Sequence, residues 1–276
     1  MNDRTVNILR NFFLAVLSLV LLIPFYICLI NAFKFKEDIV NNPITFIISN
    51  LTFENFTKVA VTPTFNIFQA YGTTILITLF SIVFVLIFAG MLSYVIARID
   101  NKFLLMVYLL LLGGMVIPPQ VILIPLVNML EAMGLMFSPA GLILFNIGWY
   151  MPFSVFVYTG FIRSLPKEID ESAKVDGANV FQIYWKIIFP LIKPPTATIS
   201  IFLFLWVWND FLMPHIILGS TKGYTVTTGI YRSIGPHSVE WNEIFALVVL
   251  ASIPVFIMYL FIQRFIIEGF TEGSVK

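Results

Sequence analysis

ESAKVDGANVFQIYWKIIFP, Glu171 to Pro190, interrupts a chain that is otherwise overwhelmingly apolar. Four charged side chains and a glycine break the membrane-like run, and the stretch also holds four aromatic residues. On its own the stretch reads as two short helices. Ser164 and Pro166 suit a helix start, where the missing proline N–H costs nothing. Glu168, Asp170 and Glu171 crowd the early turns, where the helix dipole favours negative charge. Asp176-Gly177 permits a turn with positive φ. A second helix from about Val180 would place Phe181, Tyr184, Trp185 and Ile188 on one face, and Pro190 would stop it. Such a segment could lie on lipid headgroups. Small Ala173 and flexible Gly177 suggest instead a close approach to another surface, for which an aromatic face is a good anchor.

The rest of the chain states its solvent. Of the 276 residues 59% are hydrophobic and 11% charged, and the mean hydropathy is +0.95. Soluble domains carry about 25% charged residues, so most of this surface faces lipid. Six segments are long enough to cross the roughly 30 Å hydrocarbon core. They run about Asn11–Ala32, Gly72–Ala97, Phe103–Val127, Pro139–Phe161, Pro195–Leu218 and Trp241–Phe265. The first follows Arg4 and Arg10 but outlasts a signal-peptide core and lacks a small-x-small cleavage pattern, so it reads as an uncleaved anchor. With the N-terminus in the cytoplasm, eleven of the sixteen Lys and Arg residues fall inside. Both termini are therefore expected in the cytoplasm. The expected organisation is one all-α membrane domain over 1–276, with an extracytoplasmic loop at 33–71 and a cytoplasmic loop at 164–192. "GGMVIPPQVILIP" (113–125) should kink or end the third span at Pro118-Pro119. The kink serves packing or bends around a pathway.

Several chemistries are missing. No phosphate-cradling G-x-x-x-x-G-K-[ST] motif is present, nor a paired-cysteine metal site, an H-E-x-x-H motif or a Ser/His/Asp set. Cys28, the one cysteine, lies in an apolar run. His215 and His237 are expected near the outer surface. A net charge of +1 gives no pull toward nucleic acid. Asp210 is the main ionisable residue within a span, about 22 Å into the fifth and so near the outer headgroups. An ion-coupled transporter would need more titratable machinery at the midplane. The chain reads as a pathway without its own engine.

Glu171-Ser172-Ala173, three further residues, Gly177 and a downstream Ile188-Phe189-Pro190 resemble the "EAA" coupling loop of bacterial ABC importer permeases. Ser172 replaces the usual middle alanine and Phe189 the usual leucine. "NLTFENF" (50–56), "IPPQVILIPLVNMLEAMGL" (117–135), "WNDFLMP" (208–214) and "EGFTEGSVK" (268–276) extend the resemblance to the carbohydrate branch, most of all to its MalG-like subunit. The resemblance implies a MetI-like fold in the bacterial inner membrane and a permease without an ATPase site. It implies a second, homologous permease chain, two cytoplasmic ATPase subunits that bind ATP and Mg, and an extracytoplasmic sugar-binding protein. No cofactor is implied in this chain. Glu171, Ser172, Ala173, Asp176 and Gly177 become the ATPase-coupling residues. Asn146, Trp149, Tyr150, Trp206 and Asn209 are the candidates for a sugar path, since aromatic faces stack on pyranose rings and amides bond hydroxyls. The competing readings are a self-contained secondary transporter or channel, and an ABC permease for an amino acid or metal.

Overall fold

A computed structural model describes residues 3–45, 51–60, 65–219, 223–233 and 240–273, with side chains for 7–45, 51–60, 65–219, 223–232 and 240–261. Asn50 and His237 lie outside the described residues, and the whole C-terminal motif (268–276) lies outside the described side chains. The described regular elements are helices. In chain order they are α1 (Asp3–Ala32), α2 (Lys36–Asn41), α3 (Glu54–Ala60), α4 (Ile67–Arg98), α5 (Lys102–Gly114), α6 (Leu123–Ala132) and α7 (Pro139–Ser164). There follow α8 (Glu168–Val175), α9 (Val180–Ile183), α10 (Phe189–Leu191), α11 (Lys193–Asn209), α12 (Leu212–Ile217), α13 (Val226–Ser233) and α14 (Trp241–Gly273).

Four of these helices, in α1, α4, α7 and α14, are unbroken and apolar enough to span a membrane. The expected third and fifth spans are not continuous helices. α5 and the segment Pro119–Ala132 meet at 103°, and Val180–Leu191 meets α11 at 75°. The first break falls where the sequence places it. Pro118 is extended, at φ −65° and ψ 139°, and a 3-10 turn then runs from Pro119 to Ile122. The second break corrects the expectation that Pro190 stops the helix. Helix continues through Pro190 to Leu191 and turns only after it. A π-helical stretch, Tyr184–Ile188, precedes the proline, and its wide turn lets the Phe189 N–H reach the Tyr184 carbonyl. A proline ring normally crowds the carbonyl four residues back, and the added residue per turn displaces that carbonyl. The fifth span as expected also ran too far: α11 ends at Asn209, and Asp210 is extended, at ψ 131°.

The chain forms two compact units. In the unit of 1–69 and 229–257, α1 is nearly bare, with 6% of its most apolar stretch buried. The "NLTFENF" motif is structural there. Asn55 is buried, its Nδ2–H donates to the carbonyls of Ala32 (2.9 Å) and Lys34 (2.8 Å), and its Oδ1 accepts from Asn242 (2.7 Å). A buried amide satisfied in this way fixes three chain segments at one point.

In the unit of 70–228 and 258–276, α7 is the hub, packed against α5, α11 and α12. Val155, Tyr158 and Ile162 on α7 are fully enclosed, as are Val85 and Ala89 on α4 and Ile199 on α11. Lipid is as apolar as these side chains, so close packing and interhelical hydrogen bonds hold the helices together. Ser93 Oγ donates to the Val155 carbonyl at 3.3 Å, and Tyr158 Oη pairs with Thr196 Oγ1 at 2.8 Å.

Candidate functional site

Two regions of the larger unit carry the expected residues. The first is α8, the turn at Gly177 and α9. α8 starts two residues later than the sequence suggests. Ser164 ends α7 and its hydroxyl donates back to the Phe161 carbonyl at 2.7 Å, so it is not a cap for α8. Gly177 has φ +81°, and its N–H and that of Ala178 reach back to the carbonyls of Lys174 and Ala173, both at 3.0 Å. This is a glycine helix stop of the kind that needs a left-handed residue. Asp176 caps the last turn of α8. Asn179 then starts α9 through a reciprocal capping box with Gln182, both hydrogen bonds 2.9 Å. The Asn-x-x-Gln signature was present in the sequence and reads as a helix start.

Glu171 and Ser172 face water, whereas Ala173 is enclosed. Val175, Val180 and Phe181 are 88%, 59% and 62% exposed. The inward face differs from the expected one. Ile183, Tyr184 and Ile188 are buried with Ile192, while Phe181 points out. The π turn shifts the phase of the helix by one residue, which divides an aromatic face that a regular helix would have kept whole.

Asp170 is the functional candidate that sequence reasoning missed. It was placed with Glu168 and Glu171 as a dipole-favoured acid, yet it is only 4% exposed. Its Oδ1 accepts from Tyr94 Oη at 2.6 Å, and its Oδ2 pairs with Arg98 Nη2 at 2.9 Å. Arg98 Nη1 also donates to the Leu165 carbonyl at 3.0 Å. Losing one partner of so enclosed an ion pair costs about 3–5 kcal/mol, because the other is left buried and uncompensated. Two signals in the sequence pointed here: a basic and an acidic residue both expected at the cytoplasmic edge.

The second region is a cleft of about 780 Å³ whose lining includes Gln120, Trp149, Tyr150, Trp206, Asn209 and Asp210. The break at Pro118-Pro119 and the one between α11 and α12 both border it, since Met115 and Pro119 contribute from one side and Asp210 and Leu212 from the other. Irregular backbone at membrane depth survives where it is packed in protein or lines a cavity. Asp210 repairs the break between α11 and α12 by accepting from the Leu212 N–H at 3.1 Å. The walls are aromatic. Tyr150 stacks on Trp206 with centroids 5.6 Å apart and planes at 19°, and Phe153 meets Trp206 edge-on at 4.8 Å. Tyr150 is largely enclosed, and Trp206 is 39% exposed.

Asn146 does not belong to this cleft. It is 1% exposed, and its Nδ2–H donates to Ser81 Oγ on α4 at 3.0 Å. Asn146→Ala is therefore expected to lower thermal stability by about 0.6 kcal/mol, the usual worth of such a bond between membrane helices. Competition between solutes for uptake should stay unchanged. A shift in solute preference would show that Asn146 reaches the pathway. His215 lies on α12 and stacks with Phe211, centroids 5.2 Å apart. Among the described residues no cluster of His, Cys, Asp or Glu could hold a metal ion.

Residues 87–271, which contain both regions, match the family described as binding-protein-dependent transport system inner membrane component. The chain belongs to that family. As a permease of this kind it is the membrane component and not the ATPase. Over 95% of its length it is 33% identical to the probable starch degradation products transport system permease protein AmyC of Thermoanaerobacterium thermosulfurigenes, covering 94% of that chain. It is 34% identical to the melibiose/raffinose/stachyose import permease protein MelC of Bacillus subtilis, over 92% of this chain and 91% of the other. Its fold matches a chain from the crystal structure of a bacterial ABC transporter involved in the import of the acidic polysaccharide alginate. The TM-score is 0.83 at 21% identity, over 95% and 96% of the two chains.

Proposed function

We propose that this permease forms half of the translocation path of an ATP-driven sugar importer, with oligosaccharides as the solutes. A second permease chain supplies the other half. Two cytoplasmic ATPase subunits bind ATP and Mg, and an extracytoplasmic binding protein delivers the sugar. The sugar-carrying relatives AmyC and MelC support the solute class, and the aromatic cleft offers faces on which a pyranose ring can stack. Trp149, Tyr150, Trp206 and Asn209 are the sugar-path residues in this reading.

The observation that carries the reading is the outward face of α8 and α9. α8 carries an exposed carboxylate, Glu171, and Val175 one turn on, and α9 carries Val180 and Phe181; the three apolar side chains are 59–88% exposed. An apolar patch with a charged edge is what a protein partner covers. Glu171, Ser172, Ala173, Asp176 and Gly177 thus form the contact to an ATPase subunit: Glu171 pairs with a basic or donor group, Ala173 permits close approach, and Gly177 sets the turn.

Each bent helix pair counts as one span in this reading, which makes six. The ends of the helices support it. Arg98 at the end of α4 meets Leu165 at the end of α7, so both helices finish on one side. At the far side Phe137, just before α7, donates its N–H to the Ile217 carbonyl at 2.8 Å. The segment from Val180 to Ile217 therefore runs from the α8 side to the opposite one. With the Lys and Arg bias, the α8 side is cytoplasmic and so are both termini.

The test is gentle extraction of the tagged chain from native membranes and identification of its companions by mass. The expected set is an ATPase and a second permease, with transport of labelled oligosaccharide that stops when ATP is withheld. A chain that purifies without an ATPase and still moves solute in the absence of ATP overturns the reading.

A further inference from the structure

Beyond the contact surface of α8, the structure shows what lies directly behind it. The last turns of α4 carry Gly90, Tyr94 and Arg98 four residues apart, so they share one face. All three touch the 164–192 segment. At Gly90 a methyl group would run into the Tyr184 hydroxyl, so the glycine makes room for that side chain against α4. The Tyr94 ring lies 5.7 Å from that of Tyr184, and its hydroxyl donates to Asp170 at 2.6 Å. Arg98 completes the set with its 2.9 Å ion pair to the second oxygen of Asp170 and its bond to the Leu165 carbonyl.

Asp170 and Glu171 are neighbours on one helical turn, about 100° apart around the axis. One faces outward and exposed, while the other faces inward and is held by α4. We propose that Tyr94, Arg98 and Asp170 are positioning residues that join α8 rigidly to α4, so that a displacement imposed on α8 is carried directly into α4. The inference rests on the reading that α8 and α9 seat on an ATPase. Its physical basis is that both carboxylate oxygens are engaged from one helix, in a site where side-chain exposure is 6% for Asp170 and 9% for Arg98. If α8 moved without α4, an enclosed carboxylate and the guanidinium that pairs with it would be separated, and breaking so enclosed a pair is costly. α8 and α4 therefore move as one body.

The test uses the whole assembly in vesicles and a reporter that needs no knowledge of the sugar. The native cysteine is removed (Cys28→Ser), and Phe88→Cys on the exposed face of α4 carries an environment-sensitive fluorophore. Mg-ATP with vanadate is the probe. In the otherwise unaltered chain ATP shifts the emission. Asp170→Asn is expected to retain the ATPase on co-purification yet to reduce the emission shift about tenfold, within the usual range of an intersite coupling. Tyr94→Phe keeps the ring and is expected to reduce the shift by a smaller factor, about fivefold. Should Asp170→Asn fold poorly, the neutral pair Asp170→Asn with Arg98→Gln removes both buried charges. It is expected to recover thermal stability without recovering the shift. A full emission shift in Asp170→Asn, or recovery of both stability and shift in the neutral pair, overturns the joint. Loss of the ATPase from Asp170→Asn overturns it too, by placing Asp170 in the contact surface. The underlying reading fails separately, if Glu171→Lys retains the ATPase.

Discussion

Glu171→Lys is expected to abolish ATP-driven uptake and to strip the ATPase from the purified complex, while the chain itself stays as stable as before. Magnitudes separate the two effects. Within this chain the Glu171 carboxylate has no partner among the described residues, and it is exposed in the first turn of α8. A lysine there opposes the helix dipole, at a cost of about 0.3–1 kcal/mol. At an interface the same reversal breaks a charge-assisted contact and sets like charges together, at a cost of about 2–5 kcal/mol. Each 1.4 kcal/mol is tenfold in affinity, so ATPase binding should fall by roughly thirtyfold to several thousandfold. The measurement is ATPase yield per tagged permease, beside the thermal midpoint of the permease in detergent. Unchanged ATPase yield would remove Glu171 from the contact. A midpoint that collapses together with the yield would assign the effect to folding.

The same segment shows what sequence reasoning reaches and where it stops. Gly177 was legible because a helix that must end before another begins needs a residue at positive φ, and Asp-Gly is a local signature. The break at Pro118-Pro119 was legible for a similar reason, since proline acts on its own neighbours. Whether that break served packing or a pathway was not legible. Its place on the wall of the cleft depends on α7 and α11, which are remote in sequence. Pro190 misled because its local rule was overridden by packing. Tyr184 seats against Gly90 and Tyr94 on another helix, and the π turn that permits it also relieves the proline. Asp170 stands beside Glu168 and Glu171, and composition cannot tell which acid of the three turns inward. That choice depends on Tyr94, 76 residues away. Asn146 failed for the opposite reason. An amide among aromatics suits a sugar, but only the fold shows that it faces Ser81.

Trp206→Ala is expected to raise the apparent KM for transport by about ten- to a hundredfold while ATPase binding stays unchanged. Trp206 is the centre of the cleft wall, in contact with Tyr150, Phe153 and Phe202. At 39% exposure it still offers a face to whatever occupies the cleft. Covering an aromatic face of this size is worth about 1.5–3 kcal/mol, which converts to the stated range at 1.4 kcal/mol per decade. Truncation also loosens the stack with Tyr150, a contact worth about 0.5–1.5 kcal/mol beyond its area, and this part should appear as lowered thermal stability. Trp206→Phe separates the two. It keeps an aromatic ring against Tyr150 and Phe153 but presents a smaller face to the cleft, so stability should return further than KM does. Equal recovery of both would make Trp206 a packing residue. A change in the maximal rate with no change in KM would mean that the ring acts on the opening and closing of the path and not on the sugar.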